Sequence, residues 1–152
     1  MELKRVVVTG LGALTPIGNT VDEYWEALKS GKSGAAPTTH FDVTLFKTKF
    51  SCEIKNFNIL DHMDKKDSRR QDEFTQYAMV SATEAMEDCG ILNSNPNLDR
   101  IGVIWGSGIG GLNTFQEEAR TYFAGDGTPK FNPFFIPKMI ADIAAGQISI
   151  KY

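Results

Sequence analysis

The sequence predicts an α/β layered fold, a mostly parallel sheet covered by helices. Two short apolar, β-branched runs, RVVVT at residues 5–9 and IGVIW at 101–105, each end in glycines. Fully buried strands of a parallel sheet read this way. Between and after them lie segments with apolar residues at helical spacing, so strand and helix alternate along the chain.

After the first run, Pro16 and Gly18 keep the chain irregular. Thr20 and Glu23 then form a capping box, each able to satisfy a free amide at a helix start. Val21, Tyr24, Trp25 and Leu28 give that helix one apolar face, and Gly31 is placed to stop it. Residues 32–68 are less regular, with a short strand expected over 49–54 and dense charge over 61–70. A second helix carries Phe74, Tyr77, Ala78, Ser81, Ala82, Ala85 and Cys89 on one stripe, and Gly90 closes it. The small residues on that stripe predict close packing on a sheet. Thr114 and Glu117 read as the capping box of a third helix through about Phe123. A fourth is expected to start near Pro133 or Pro137, with Ile136, Met139, Ile140, Ile143 and Gln147 along its face.

The 152 residues suffice for one domain with a real core. A formal net charge of −3 gives no pull toward nucleic acid or an anionic membrane. No apolar run approaches the ~20 residues of a spanning helix, and the N-terminus lacks the features of a signal peptide. Cys52 and Cys89 form no CxxC, so free thiols in a reducing, cytoplasmic setting are expected. His40 and His62 have no metal-ligand spacing, and no metal is expected.

The segment GSGIGG at residues 106–111 contains a formal GxGxxG at Gly106, Gly108 and Gly111, between a strand and a helix. A dinucleotide phosphate could sit on such a helix start. Against this, Asp126 falls in a glycine-rich turn rather than at the end of a following strand, and no P-loop Lys-Ser/Thr pair occurs. The simpler reading is that these glycines let strand ends and helices approach closely.

Taken together, VVVTGLGALTPIGN at 6–19, Phe41-Asp42, TKF at 48–50, GSGIGGL at 106–112 and NPFFIP at 132–137 resemble the condensing enzymes, in the order that family shows. The chain most resembles the β-ketoacyl-acyl-carrier-protein synthases of type II fatty-acid synthesis, of the synthase II kind. The resemblance implies the N-terminal half of a thiolase-like fold, of βαβαβ type and incomplete, over residues 1–152. It implies a decarboxylating Claisen condensation of acyl-ACP with malonyl-ACP, with a cysteine thioester and two histidines. No redox cofactor is needed, and the enzyme is expected to be a cytoplasmic homodimer.

In these synthases the nucleophilic cysteine follows the helix that here ends near Tyr152, and the histidines lie further on. Cys52, Cys89, His40 and His62 match none of them. No catalytic residue is therefore assigned, and the chain alone is expected to be inactive. Both cysteines are expected to be structural.

Three features carry over from the resemblance. Ile109 corresponds to the wall between nucleophile and acyl tunnel; on its residues alone it is a core isoleucine on a tight turn. Phe134 corresponds to an aromatic reaching the partner subunit's acyl pocket; alone, it reads as a helix-start aromatic packed on its own core, and Phe135 is too close in sequence to be excluded from either role. Lys65, Lys66, Arg69 and Arg70 correspond to the basic surface that binds acidic acyl carrier protein, where complementary charge steers the encounter. Alone, they read as a solvated face neutralised by Asp61, Asp64, Asp67 and Asp72. Two rivals remain: a dinucleotide-binding domain on residues 106–111, and a non-catalytic carrier-protein-binding partner. Uncovered apolar faces predict that the isolated chain does not behave as a clean monomer.

Overall fold

The computed structural model describes residues 3–152. The chain forms two compact units, Met1–Phe57 with Val80–Pro96, and Asn58–Met79 with Asn97–Tyr152.

In the first unit, helix α1 spans Val21–Lys29. The Thr20 hydroxyl accepts the Glu23 amide at 3.3 Å, and the Glu23 carboxylate accepts the Asn19 amide at 2.7 Å. The predicted box therefore forms with its return bond one residue earlier. At the other end Gly31 has φ +67°, its amide reaches Leu28 O and that of Lys32 reaches Ala27 O. This left-handed stop satisfies carbonyls that the helix leaves open.

Strands β1 (Ala36–Pro37) and β2 (Phe50–Ser51) pair antiparallel, so the strand expected over 49–54 is present at its centre. Glu53 ties the pair together. It accepts the Thr39 hydroxyl at 2.7 Å, the Thr39 amide at 3.0 Å and the Ser51 hydroxyl at 2.9 Å. The Thr39 hydroxyl foremost, with the Thr39 amide, the Ser51 hydroxyl and the His40 amide, lowers the Glu53 pKa from 4.5 to about 2 against the upward push of desolvation. A lowered carboxylate pKa stabilises the fold above the unfolded value and loses that contribution as pH falls toward the folded one. The Thr39 amide resonance is thus expected to hold its folded position at pH 4.5 and to move as pH approaches about 2. Glu53→Gln should show the moved position at neutral pH. A wild-type transition centred at the ordinary carboxylate value would refute this.

The two predicted buried strands are corrected by the structure. Residues 5–9 and 101–105 join no ladder among the described residues. Val6 is 89% exposed, Val8 81% and Ile104 99%. Their composition suits a buried strand, but a parallel strand also needs hydrogen-bonded neighbours and covered faces. The mostly parallel sheet is accordingly replaced, among the described residues, by the short β1–β2 pair.

Helix α3, Glu73–Cys89, stops at Gly90, which has φ +60°. Its small-residue stripe packs closely, but against the glycine segment rather than a sheet. A Cβ on Gly10 would meet Ala85 O at 2.3 Å, and one on Gly12 would meet Ser81 O at 1.9 Å. Alternate amides of that segment find acidic side chains on α3: Leu11 N–H donates to Asp88 at 2.9 Å and Ala13 N–H to Glu84 at 2.7 Å.

In the second unit α2 (Lys65–Arg70) precedes the start of α3, and α4 (Leu112–Ala124), α5 (Phe135–Met139) and α6 (Ile143–Lys151) follow. Two expectations change here. Helix α4 starts at Leu112 behind Gly111, so Thr114 lies inside its first turn and is no cap. The single fourth helix is two helices, because the Met139 carbonyl accepts the Gly111 amide at 2.9 Å. In a continuous helix that carbonyl would take the Ile143 amide, which instead reaches Ile140 O at 3.3 Å. Ala144 and Ile148 of α6 are buried, as are Ala78 and Met79 of α3.

Candidate functional site

The sequence-predicted site residues all fall in the second unit. The turn before α4 seats on the C-terminal end of that helix. A Cβ on Gly110 would lie 2.3 Å from Met139 O, and one on Gly111 2.4 Å from Lys138 O. Gly110 also has φ +88°, a conformation that favours glycine. Ile109 precedes this pair and is 71% exposed, so it is not the core isoleucine that its residue type alone suggests. Phe134 sits just ahead of the other end of α5. The five helical residues between the two ends rise about 7.5 Å.

Asp72, just before α3, helps hold the turn. Its carboxylate accepts the hydroxyl of buried Thr114, and it would lie 3.0 Å from a Cβ on Gly111. The sequence presents Asp72 only as one of four acids near a basic run; nothing local pairs it with Thr114.

Asn132 shapes the NPFFIP segment. Its side chain accepts the Phe134 amide at 2.8 Å, its carbonyl accepts the Phe135 amide at 2.8 Å, and its own amide reaches Glu118 at 3.1 Å. Phe135 joins a stack with Phe115 and Phe131, at centroid distances of 6.3 and 5.8 Å, and Tyr122 continues it 5.5 Å from Phe131. The adjacent aromatics therefore have different surroundings, with Phe135 in the stack and Phe134 facing α2. The Arg70 guanidinium lies 5.1 Å from the Phe134 ring centroid.

Lys65, Lys66, Arg69 and Arg70 are all exposed on α2. The four acids expected to neutralise them are mostly occupied. Asp61 accepts from Asn58 at 3.1 Å, Asp64 caps α2 through the Asp67 amide at 2.8 Å, and Asp72 takes Thr114. Among the described residues, Asp67 alone of the four reaches a cation of the patch, at 3.9 Å from Arg70. Among the described residues Lys65, Lys66 and Arg69 make no ion pair.

The remaining candidates stand apart. Cys52 is exposed beside β2. Cys89 is half-buried at the end of α3, against Gly10, as a small packing residue. His40 approaches Glu53 at 3.8 Å. At the GxGxxG segment the Gly111 amide is bonded to Met139 and the Leu112 amide to Gly110, so two helix-start donors are committed within the protein. Among the described residues no cluster of three or more His, Cys, Asp and Glu could hold a metal, and no helix is long and apolar enough to cross a membrane.

The backbone has the ketosynthase fold. It superposes on the ishigamide ketosynthase/chain length factor with a TM-score of 0.73 at 26% identity, covering 95% of this chain and 36% of that one. It superposes with a TM-score of 0.76 at 22% identity on a structure described as a type II PKS acyl-carrier protein in complex with its ketosynthase bound to the hexaketide, covering 99% and 39%. The likeness supports the thiolase-like class predicted from the sequence. Residues 3–152 match the family described as Beta-ketoacyl synthase, N-terminal domain, and the chain belongs to that family. It is 48% identical over 147 residues to 3-oxoacyl-acyl-carrier-protein synthase 2 of Staphylococcus aureus (strain N315), covering 97% of this chain. The chain spans 35% of that relative's length.

Proposed function

We propose that residues 1–152 are the N-terminal part of one thiolase-like domain of a 3-oxoacyl-acyl-carrier-protein synthase of fatty-acid elongation, a cytoplasmic homodimer. Its reaction joins an acyl group to the two-carbon unit of malonyl-ACP. The acyl group is carried as a thioester on a cysteine, malonyl-ACP loses carbon dioxide, and the resulting enolate carbon attacks the thioester carbonyl, releasing the thiolate. No redox cofactor takes part. Cys52, Cys89, His40 and His62 stay outside this chemistry, and the part described here supplies binding. Lys65, Lys66, Arg69 and Arg70 receive the acidic carrier protein, Ile109 borders the acyl path, and Phe134 contributes to an acyl pocket.

The observation that carries this reading is the exposed face of α2, whose lysines and Arg69 are free of ion pairs among the described residues, in a chain of this family. Unpaired surface cations speed association with an acidic partner and lose that effect as salt rises. With the full-length protein, Lys65→Glu with Lys66→Glu should weaken acyl carrier protein binding by about tenfold, at about 1.4 kcal/mol for the pair. The wild type should weaken with added salt while the variant responds less. Equal affinity for wild type and variant at low salt would sink the carrier-binding role of α2.

A further inference from the structure

Arg70 and Phe134 are 64 positions apart and belong to what the sequence reads as two separate sites. The structure puts them in contact, with the guanidinium carbon 5.1 Å from the ring centroid. That is inside the ~6 Å range of a cation–π interaction. Both backbones are held independently of this contact. The end of α2 is tied to α3 by the Gln76 side-chain amide, which donates to Ser68 O at 2.8 Å and Gln71 O at 3.2 Å, and Ser68 is buried. Phe134 donates its amide to Asn132 at 2.8 Å, and its carbonyl accepts the Lys138 amide at 2.8 Å. Fixed backbones leave side-chain rotation as the freedom that the contact removes. Phe134 is 38% exposed and is not a member of the Phe115–Phe135–Phe131–Tyr122 stack.

We infer that Arg70 is the positioning residue for Phe134, so that docking of an acidic partner on α2 and the placement of the Phe134 ring are coupled through one guanidinium. The coupling rests on the proposed carrier-protein role of α2. A carboxylate arriving there competes with the ring for Arg70, as Asp67 already does weakly from 3.9 Å. Whatever the partner does to the ring's position, the ring's position must do to the partner's affinity. An exposed cation–π contact corresponds to a two- to fivefold effect, roughly, on such an equilibrium.

The test places 4-fluorophenylalanine at position 134 of the full-length protein and follows its fluorine resonance. Arg70→Ala should shift it, Arg70→Lys should restore it only in part because the planar face is gone, and Lys66→Ala should leave it in place. An unmoved resonance in Arg70→Ala overturns the positioning role. Acyl carrier protein should then move the wild-type resonance and leave that of Arg70→Ala unmoved. A carrier protein that binds the wild type without moving the resonance overturns the coupling. If it does not bind the wild type at all, the functional reading and the coupling built on it fall, while the variant spectra still decide the positioning role. In carrier affinity, Arg70→Ala and Phe134→Leu should be non-additive by roughly two- to fivefold, and strict additivity counts against the inference.

Discussion

Replacing Gly12 by valine should destabilise the protein by about 3 kcal/mol or more, at or beyond the upper end of ordinary overpacking. A Cβ there would lie 1.9 Å from Ser81 O and 2.8 Å from Ala85 N, both helix backbone. A flexible side-chain tip could turn aside, but the α3 backbone can yield only by moving the helix or expelling the glycine segment. Gly31 supplies the control. It has φ +67° and nothing within 4 Å of an added Cβ, so Gly31→Ala meets only the cost of a left-handed residue, roughly 1 kcal/mol. Denaturant unfolding of the full-length variants measures both. Equal losses at the two positions would show that the contact with α3 is not what requires glycine at position 12.

The features legible in the sequence were those set by a few neighbouring residues. Thr20, Gly31 and Gly90 bound α1 and α3 as expected, because caps and left-handed stops are local. The motifs that carry the family resemblance were equally local in character. What depended on distant partners was not legible. RVVVT has the composition of a buried strand, but composition does not state which strand pairs with it. Thr114 looks like a helix cap until Asp72, 42 positions earlier, is seen to take its hydroxyl. The break between α5 and α6 comes from the Gly111 amide reaching Met139, while the local pattern from 136 to 147 reads as continuous. The site shows the same division. Ile109, Phe134 and the four basic residues could be named one by one, but the contact between Arg70 and Phe134 required the fold.

Glu84 belongs with the illegible features, and its removal should have the second large effect. It sits on α3 between the small residues of the stripe, where its type suggests a solvent-facing side chain. Its two carboxylate oxygens instead accept the Ala13 amide at 2.7 Å and the Val21 amide at 2.8 Å. The second is an amide of the first turn of α1, which has no partner within its own helix. One carboxylate thus fixes the glycine segment and the start of α1 onto α3. Each bond is charge-assisted and partly buried, so Glu84→Ala should cost roughly 2–3 kcal/mol. Glu84→Gln keeps one good acceptor and should lose about half of that. Asp88→Ala removes a single exposed bond to Leu11 and should cost well under 1 kcal/mol, roughly, as surface changes do. If Glu84→Ala unfolds at the same denaturant concentration as Asp88→Ala, the glycine segment is held by steric fit alone. If Glu84→Ala is much weaker, the sequence TGLGA needs both the missing side chains of Gly10 and Gly12 and the Glu84 carboxylate that receives the Ala13 amide just beyond them.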